Sequence, residues 1–282
     1  MTPMFRFLAG SVLAMASSLA CAQNLVVSTQ PIYLIAQAVT QGVETPTLLL
    51  AEQTGHDVSL TPQHRKTMQE AELLLWVGKA HEAPLTKALQ GNPRAISILD
   101  SGIVNTLPLR NARGEAMPNT LDTHVWLEPN NAVRIGFFIA ALRSQQQPEH
   151  KEQYWKNARQ FAQSMLSNAQ KLQQSSKKQP YWAYHDAYQY LERSVNLSFE
   201  GALTEDAHMS PTVTQIKYLN DHRSQEKMCL LAEGHASSSQ YQKLNPIVFQ
   251  GVDESMKGEK SFVQGWFNLA QKVQKCTLTA RI

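Results

Sequence analysis

The sequence predicts an α/β protein of two lobes, in which each lobe is a mostly parallel sheet flanked by helices and one long rigid helix joins the two. Two observations predict this architecture. Short apolar runs alternate with helical patterns both before and after the middle of the chain, as in parallel α/β sheets. Between these halves, residues 148 to about 176 carry one apolar stripe at steps of three and four residues. A long helix packed on a single large sheet is the alternative interpretation.

The central helix is predicted from its periodicity and from both of its ends. Its apolar stripe comprises Tyr154, Trp155, Ala158, Phe161, Ala162, Met165, Leu166, Ala169 and Leu172. Pro148 suits the first helical turn, where a missing N–H costs nothing. Glu149 and Glu152 stabilise the N-terminal end of the helix dipole, and Lys177 and Lys178 follow at the other end. About thirty residues at 1.5 Å each give a rod of roughly 40–45 Å, which is long enough to join two lobes.

The pattern divides the chain into a signal peptide (residues 1–22), an N-terminal lobe (23–147), the connecting helix (148–177) and a C-terminal lobe (178–282). Strands are predicted at residues 24–29, 45–50, 73–77 and 95–99, and then at 181–185, 197–203, 228–232 and 247–252. Helices are predicted at residues 32–39, 62–71, 83–89, 130–143, 187–193, 211–225 and 261–275. Thr61 and the pair Ser210-Pro211 are the predicted helix starts. Residues 101–122 are irregular and predict a surface loop.

Composition and the first residues indicate an exported globular protein. The 282 residues are 43% apolar and 17% charged, and a net charge of +3 is too small to indicate nucleic-acid binding. Arg6 precedes an uncharged run that ends in the small-x-small site Ala20-Cys21-Ala22. A lipoprotein signal would need Leu three residues before Cys21, and the residue at that position is Ser18. We therefore predict cleavage after Ala22 and a soluble mature protein.

Cleavage would leave two cysteines, Cys229 and Cys276. Paired cysteines in an exported chain predict a disulfide, and their spacing is not that of a metal site.

Three histidines share a placement that favours a metal site. His56, His124 and His185 each lie at or next to the end of a strand-like run. Ligands of parallel sheets gather at the carboxyl ends of the strands, so a crevice between the lobes would bring the three together. Three imidazoles suit zinc, with one further ligand or a water. Asp57, Asp186 and Asp122 lie one or two residues from these histidines. They are either hydrogen-bond acceptors that orient the rings or simple turn residues.

Enzymatic motifs are absent from the sequence. It contains no His-Glu-x-x-His helix, no Gly-x-Ser-x-Gly elbow and no Gly-rich phosphate loop. Glu233-Gly234-His235 and His81-Glu82 are the nearest approaches to acid/base pairs, and both lack a nucleophile in a recognisable setting.

Four short sequence motifs are together similar to motifs of the zinc-binding periplasmic proteins of bacterial ABC importers, the ZnuA type. These motifs are Gly55-His56-Asp57-Val58-Ser59-Leu60-Thr61-Pro62, Ala71-Glu72-Leu73-Leu74-Leu75-Trp76-Val77-Gly78, Asp122-Thr123-His124-Val125-Trp126-Leu127 and His185-Asp186-Ala187-Tyr188. The resemblance covers essentially the whole mature chain. It implies two α/β lobes joined by a rigid helix, with zinc held in the cleft between the lobes.

The resemblance also implies site residues. It assigns the metal to His56, His124 and His185, a possible fourth ligand to Asp253, an accessory role to Glu82 with its neighbour His81, and a disulfide to Cys229 and Cys276. Asp253, Glu82 and water all remain candidates for the fourth position. Residues 107–121 hold no histidine and only one acid, Glu115, where many relatives carry a His-rich insert. This difference argues against an auxiliary zinc-loading site.

We therefore expect a monomeric periplasmic protein that captures Zn²⁺ and delivers it to an inner-membrane ABC permease driven by a cytoplasmic ATPase, without catalysis. One alternative is a manganese- or iron-type member of the same family, with Asp253 as a full ligand. The other is an exported zinc hydrolase with the same three histidines and Glu82 or Glu233 as the base.

Overall fold

The first sheet lies in the N-terminal half of the chain. A computed structural model of the protein describes residues 25–51, 59–172, 178–233 and 238–281. The first four strands are β1 (Leu25–Val27), β2 (Thr47–Leu48), β3 (Leu73–Trp76) and β4 (Ala95–Ser97). All pairings are parallel, in the order β2-β1-β3-β4. Every residue of β1 and β3 is buried, which explains why these runs are continuously apolar rather than alternating.

Three helices flank this sheet: α1 (Gln30–Thr40), α2 (Pro62–Glu70) and α3 (Ala83–Leu89). Thr61 caps α2 as predicted, since its hydroxyl oxygen accepts the His64 amide at 3.2 Å.

Two long helices occupy the middle of the chain. α4 (Pro129–Gln146) leads into a 3-10 turn (Pro148–His150), and α5 (Lys151–Leu172) follows directly. Helix α5 packs against α1, α4 and a helix near the end of the chain, α9 (Phe262–Ala280). The predicted connecting helix is therefore confirmed, and its residues up to Leu172 belong to the described part of the chain.

The second sheet repeats the arrangement of the first. Its strands are β5 (Gln179–Ala183), β6 (Leu197–Ala202), β7 (Met228–Ala232) and β8 (Ile247–Gly251), parallel and in the order β6-β5-β7-β8. Its helices are α6 (Glu192–Val195), α7 (Val213–Asp221), α8 (Ser238–Tyr241) and α9 (Phe262–Ala280). The predicted two-lobed α/β class is confirmed. Among the described residues, no helix has the length and apolar character that a membrane span requires.

Helix α7 differs from its prediction at both ends. Its cap is Thr212 rather than Ser210-Pro211, because the Thr212 hydroxyl accepts the Gln215 amide at 3.1 Å. It ends at Asp221 instead of near residue 225. Shortly afterwards the Arg223 side chain donates to the carbonyl oxygen of Leu244, which ties the turn to a neighbouring segment.

The predicted helix at residues 187–193 lies two residues later in the chain, at 189–195, and only its second half is α-helical. It consists of a 3-10 turn (Gln189–Leu191) followed by α6.

The two lobes share one core. A single cluster of buried apolar side chains includes members of both sheets and of α1, α4, α5 and α9. The indole N–H of Trp266, on α9, donates to the carbonyl oxygen of Leu127 at 2.9 Å and so links the lobes. The predicted disulfide is present and joins Cys229 on β7 to Cys276 on α9.

Candidate metal centre

His124 lies in a loop between the lobes. It is 4% exposed and directly precedes a 3-10 turn (Val125–Leu127), so the expectation that it ends a strand is wrong. One oxygen of Asp122, Oδ1, accepts both the His124 amide at 3.0 Å and its ring Nδ1 at 2.8 Å. A proton on Nδ1 puts the lone pair on Nε2, which is the atom that can bind a metal. Burial lowers the pKa of His124, but Asp122 outweighs burial and the pKa is raised.

His185 has the same arrangement in the second lobe. It lies two residues beyond β5, and its Nδ1 is 2.9 Å from Oε1 of Glu233, which directly follows β7. Because β5 and β7 are adjacent and parallel, the loops after them meet at the same edge of the sheet. Burial lowers the pKa of His185, yet Glu233 and then Glu254 raise it to about 9.

Glu254 completes the cluster from the segment after β8. Ligand atoms of His124, His185 and Glu254 all lie within 4.8 Å of one another. The carbonyl oxygen of Glu254 accepts the indole N–H of Trp126 at 2.9 Å, so a residue of the first lobe positions this segment of the second. Burial and the nearby Glu233 raise the pKa of Glu254 to about 7, against the opposing effect of the two histidines.

The cluster has the chemistry of a metal site. Nε2 of His185 and Oε2 of Glu254 are buried and have no hydrogen-bond partner among the residues that the structure describes. Buried polar atoms are normally satisfied, so two such atoms in a cluster of this size mark a candidate position for an ion. Two imidazole nitrogens and a carboxylate oxygen are ligands that zinc accepts at about 2.0–2.2 Å.

Asp253 lies next to the cluster in sequence but not in space. Its side chain is exposed, and its Oδ1 accepts the amide of Ser255 at 2.9 Å and its Oδ2 the amide of Lys257 at 3.3 Å. These bonds make Asp253 the cap of a turn. The carboxylate that lies close to His124 and His185 is that of Glu254, one residue later.

His81 and Glu82 occupy different environments. The ring of His81 lies against Trp126 and His124, with centroid distances of 5.3 and 6.2 Å, and its Nδ1 is 2.9 Å from the Thr123 hydroxyl. His81 thus forms part of the wall beside His124.

Glu82 instead closes the loop after β3. Its carboxylate accepts the amides of Val77 at 3.2 Å and Gly78 at 2.8 Å, together with the hydroxyl of Ser28. Burial raises its pKa to about 7. These bonds hold the Glu82 side chain within the first lobe and away from the His124–His185 cluster.

The candidate carboxylates have separate roles. Asp122 orients a histidine, whereas Asp186 pairs with the guanidinium of Arg110. The carboxylate beside Nδ1 of His185 is that of Glu233, for which the sequence suggested only the role of a catalytic base. His56 and Asp57, together with the predicted signal peptide and its predicted cleavage site, lie outside the described residues.

Two parallel α/β lobes around a buried histidine–carboxylate cluster define a two-lobed metal-binding protein. Residues 25–263 match the family described as ZnuA, the periplasmic component A of the zinc-uptake complex, and the chain belongs to this family.

Individual relatives agree with this assignment. The high-affinity zinc uptake system protein ZnuA of Brucella abortus is 26% identical over 255 residues, which cover 75% of this chain and 76% of that protein. The protein of the same name from Yersinia pestis is 28% identical over 263 residues, covering 81% and 82%. A Zn(II)-bound variant of AdcAII from Streptococcus pneumoniae has the same fold, with a TM-score of 0.75 at 16% identity, over 90% of this chain and 98% of that one.

Proposed function

We propose that the protein captures a zinc ion in the periplasm and delivers it to an inner-membrane ABC permease driven by a cytoplasmic ATPase. The observation that carries this proposal is the buried cluster of His124, His185 and Glu254 between the lobes. Membership of the zinc-uptake family supports the transport role. The protein would act as a monomer, reaching the periplasm after cleavage of its signal peptide behind Ala22.

The ligands we propose are Nε2 of His124, Nε2 of His185, a carboxylate oxygen of Glu254 and the imidazole of His56. Glu254 replaces Asp253 in this set because Asp253 caps a turn. Neutral nitrogen ligands favour zinc, since manganese prefers more oxygen ligands. We propose that the cluster binds and releases the ion without catalysis, as membership of a zinc-uptake family supports.

Zinc titration against a competing chelator tests the proposal. Wild-type protein should bind one zinc ion tightly and manganese far more weakly. His124→Ala and His185→Ala should each lower zinc affinity by several kcal/mol, because each removes a direct bond to the ion. His222→Ala is the matched control, since His222 is exposed and stacked on Tyr218 at 4.1 Å. Unchanged affinity in His124→Ala and His185→Ala, or tighter binding of manganese than of zinc, would refute the proposal.

A further inference from the structure

The loop between β4 and His124 is a connection between the lobes rather than a simple surface loop. We call its residues 107–112 the interlobe strap. The Leu107 amide donates to the Tyr190 hydroxyl at 2.8 Å, and the Ala112 carbonyl oxygen accepts the Ala202 amide of edge strand β6 at 2.9 Å. Gly201 permits this approach: its φ is +129°, and a Cβ there would lie 3.0 Å from the Ala112 carbonyl oxygen. The backbone of the strap thus holds the second lobe by hydrogen bonds to a side-chain hydroxyl and to a strand amide.

Arg110 is the charged centre of this strap. Its Nε and Nη2 donate to the two carboxylate oxygens of Asp186 at 2.7 and 2.8 Å, and Nη2 also donates to Glu192 at 2.5 Å. Its guanidinium lies 4.3 Å from the centre of the Phe199 ring. The side chains of Arg110 and Asp186 are 13% and 7% exposed, so solvent screens the pair little. A two-point guanidinium–carboxylate pair also restrains orientation, which a single ammonium contact would not do.

These contacts lie directly behind both metal-binding histidines. Asp186 follows His185 in the chain, and Arg110 therefore restrains the segment that carries this ligand. On the other side, Asp122 orients the His124 ring through Oδ1, while its Oδ2 accepts the Gln189 amide group at 3.1 Å. The carbonyl oxygen of Asp122 also accepts the Tyr190 hydroxyl at 2.9 Å.

We propose that Arg110 is a positioning residue for the metal centre: its two-point bond to Asp186 holds the His185 segment at the distance from His124 at which both rings bind one ion. The inference rests on the proposed function, because it assigns a role in zinc retention to a residue that does not contact the ion. Loss of the bond should leave all ligands present but increase the variation in their spacing. Zinc should then bind more weakly and dissociate faster.

The test compares Arg110→Gln with Arg113→Gln. Arg113 lies just beyond the strap, over the ring of Tyr218 at 4.6 Å, so its replacement makes the same charge change in the same loop. Arg110→Gln should bind zinc about tenfold more weakly than the wild type and release it faster to a chelator. A loss of about this size is typical when a residue that orients a metal ligand is replaced. Arg113→Gln should match the wild type in both measurements. Arg110→Lys should fall between the two, because an ammonium group keeps the charge but loses the two-point geometry.

A second pair of measurements separates positioning from a general loss of stability. Asp186→Asn should weaken zinc binding as Arg110→Gln does, and the double variant should be no weaker than either single one. In metal-free protein, amide exchange at Ala187, which donates to the His185 carbonyl oxygen, should be faster in Arg110→Gln than in Arg113→Gln.

Wild-type zinc affinity and release rate in Arg110→Gln and Arg110→Lys would overturn the inference and leave the proposed function intact. If Arg110→Gln does not fold, Arg110→Lys and Asp186→Asn decide the question. A wild-type protein that binds no zinc would overturn the proposed function instead.

Discussion

A carboxylate behind each histidine determines which ring nitrogen faces the ion. Asp122 and Glu233 take the Nδ1 side of His124 and His185, at 2.8 and 2.9 Å. Each pair therefore presents Nε2 toward the cleft before any metal arrives, which lowers the ordering cost of binding. The same carboxylates raise the pKa of both rings, so they also make the empty site hold protons.

The first prediction distinguishes the roles of two neighbouring acidic residues, Asp253 and Glu254, in zinc binding. Glu254→Gln should lower zinc affinity at least about a hundredfold, because it removes a charged ligand. Replacing a residue that only hydrogen-bonds to a metal ligand already lowers metal affinity by about ten- to a hundredfold. Asp253→Asn should leave affinity unchanged, since Asp253 caps a turn on the exposed side. Chelator competition measures both variants. Equal losses in the two, or a loss only in Asp253→Asn, would return the ligand assignment to Asp253.

The second prediction concerns pH. With the pKa of His185 at about 9, the empty site carries a proton on this ring at neutral pH, and zinc must displace it. Zinc affinity should therefore rise as pH increases from 7 to 9, by up to about tenfold per unit for one proton. Below about pH 7, Glu254 also binds a proton and the dependence should become steeper.

Calorimetry in buffers of different ionisation enthalpy would count the protons released at each pH. Affinity and proton release that do not change between pH 6.5 and 9 would contradict this description of the site.

Individual side chains also show which parts of the metal cluster could not be predicted from the sequence. Aspartate and glutamate follow one another after β8, and a pattern of strand and loop cannot tell which of the two points into the cleft. The turn made by Asp253 with Ser255 and Lys257 decides it. The pairing of His185 with Glu233 joins residues that are distant in sequence, and only the adjacency of β5 and β7 brings them together. By contrast, Asp122 lies only two residues from His124, so its role as the hydrogen-bond acceptor of that ring could be proposed from the sequence.

Among the elements, buried strands and the connecting helix were predictable and the interlobe strap was not. Strands β1, β3 and β7 are apolar at every position because both faces of each sheet are covered, and such runs are recognisable in sequence. The apolar stripe of α5 follows from its packing against α1, α4 and α9. The strap is a short run, Leu-Pro-Leu-Arg-Asn-Ala, in which the apolar residues follow neither the helical nor the strand period. Its order comes from hydrogen bonds to the other lobe, which leave no local pattern.

The third prediction belongs to the pairing of β7 with α9. The disulfide between Cys229 and Cys276 closes a loop with a sequence separation of 47. On the chain-entropy description, a closed loop of this size stabilises the folded state by about 4 kcal/mol. Urea unfolding of wild-type protein with and without a reductant should show a loss of this order.

The variant with Ser at both positions is the control, because a reductant should not change its stability. Unreduced, denatured wild-type protein should also show no reactive thiol at either cysteine. Full labelling of both residues would refute the pairing.

For the molecule as a whole, the metal cluster lies where two separately built sheets share one core. Buried apolar side chains are continuous from the first sheet through α5 to the second. Trp126 and Trp266 each donate an indole N–H across the junction, to Glu254 and Leu127 respectively. The proposed ligands therefore come from both lobes, and the lobes are held together by contacts that need no ion. We therefore expect zinc binding to move loops rather than to close the two lobes.

Anomalous diffraction at the zinc edge, from crystals of zinc-loaded protein, tests the central claim most directly. The predicted result is one strong peak between the lobes, at about 2.0–2.2 Å from Nε2 of His124, Nε2 of His185 and a carboxylate oxygen of Glu254. Zinc bound elsewhere on the molecule, or no peak between His124 and His185, would contradict the assignment of this cluster as the site of capture.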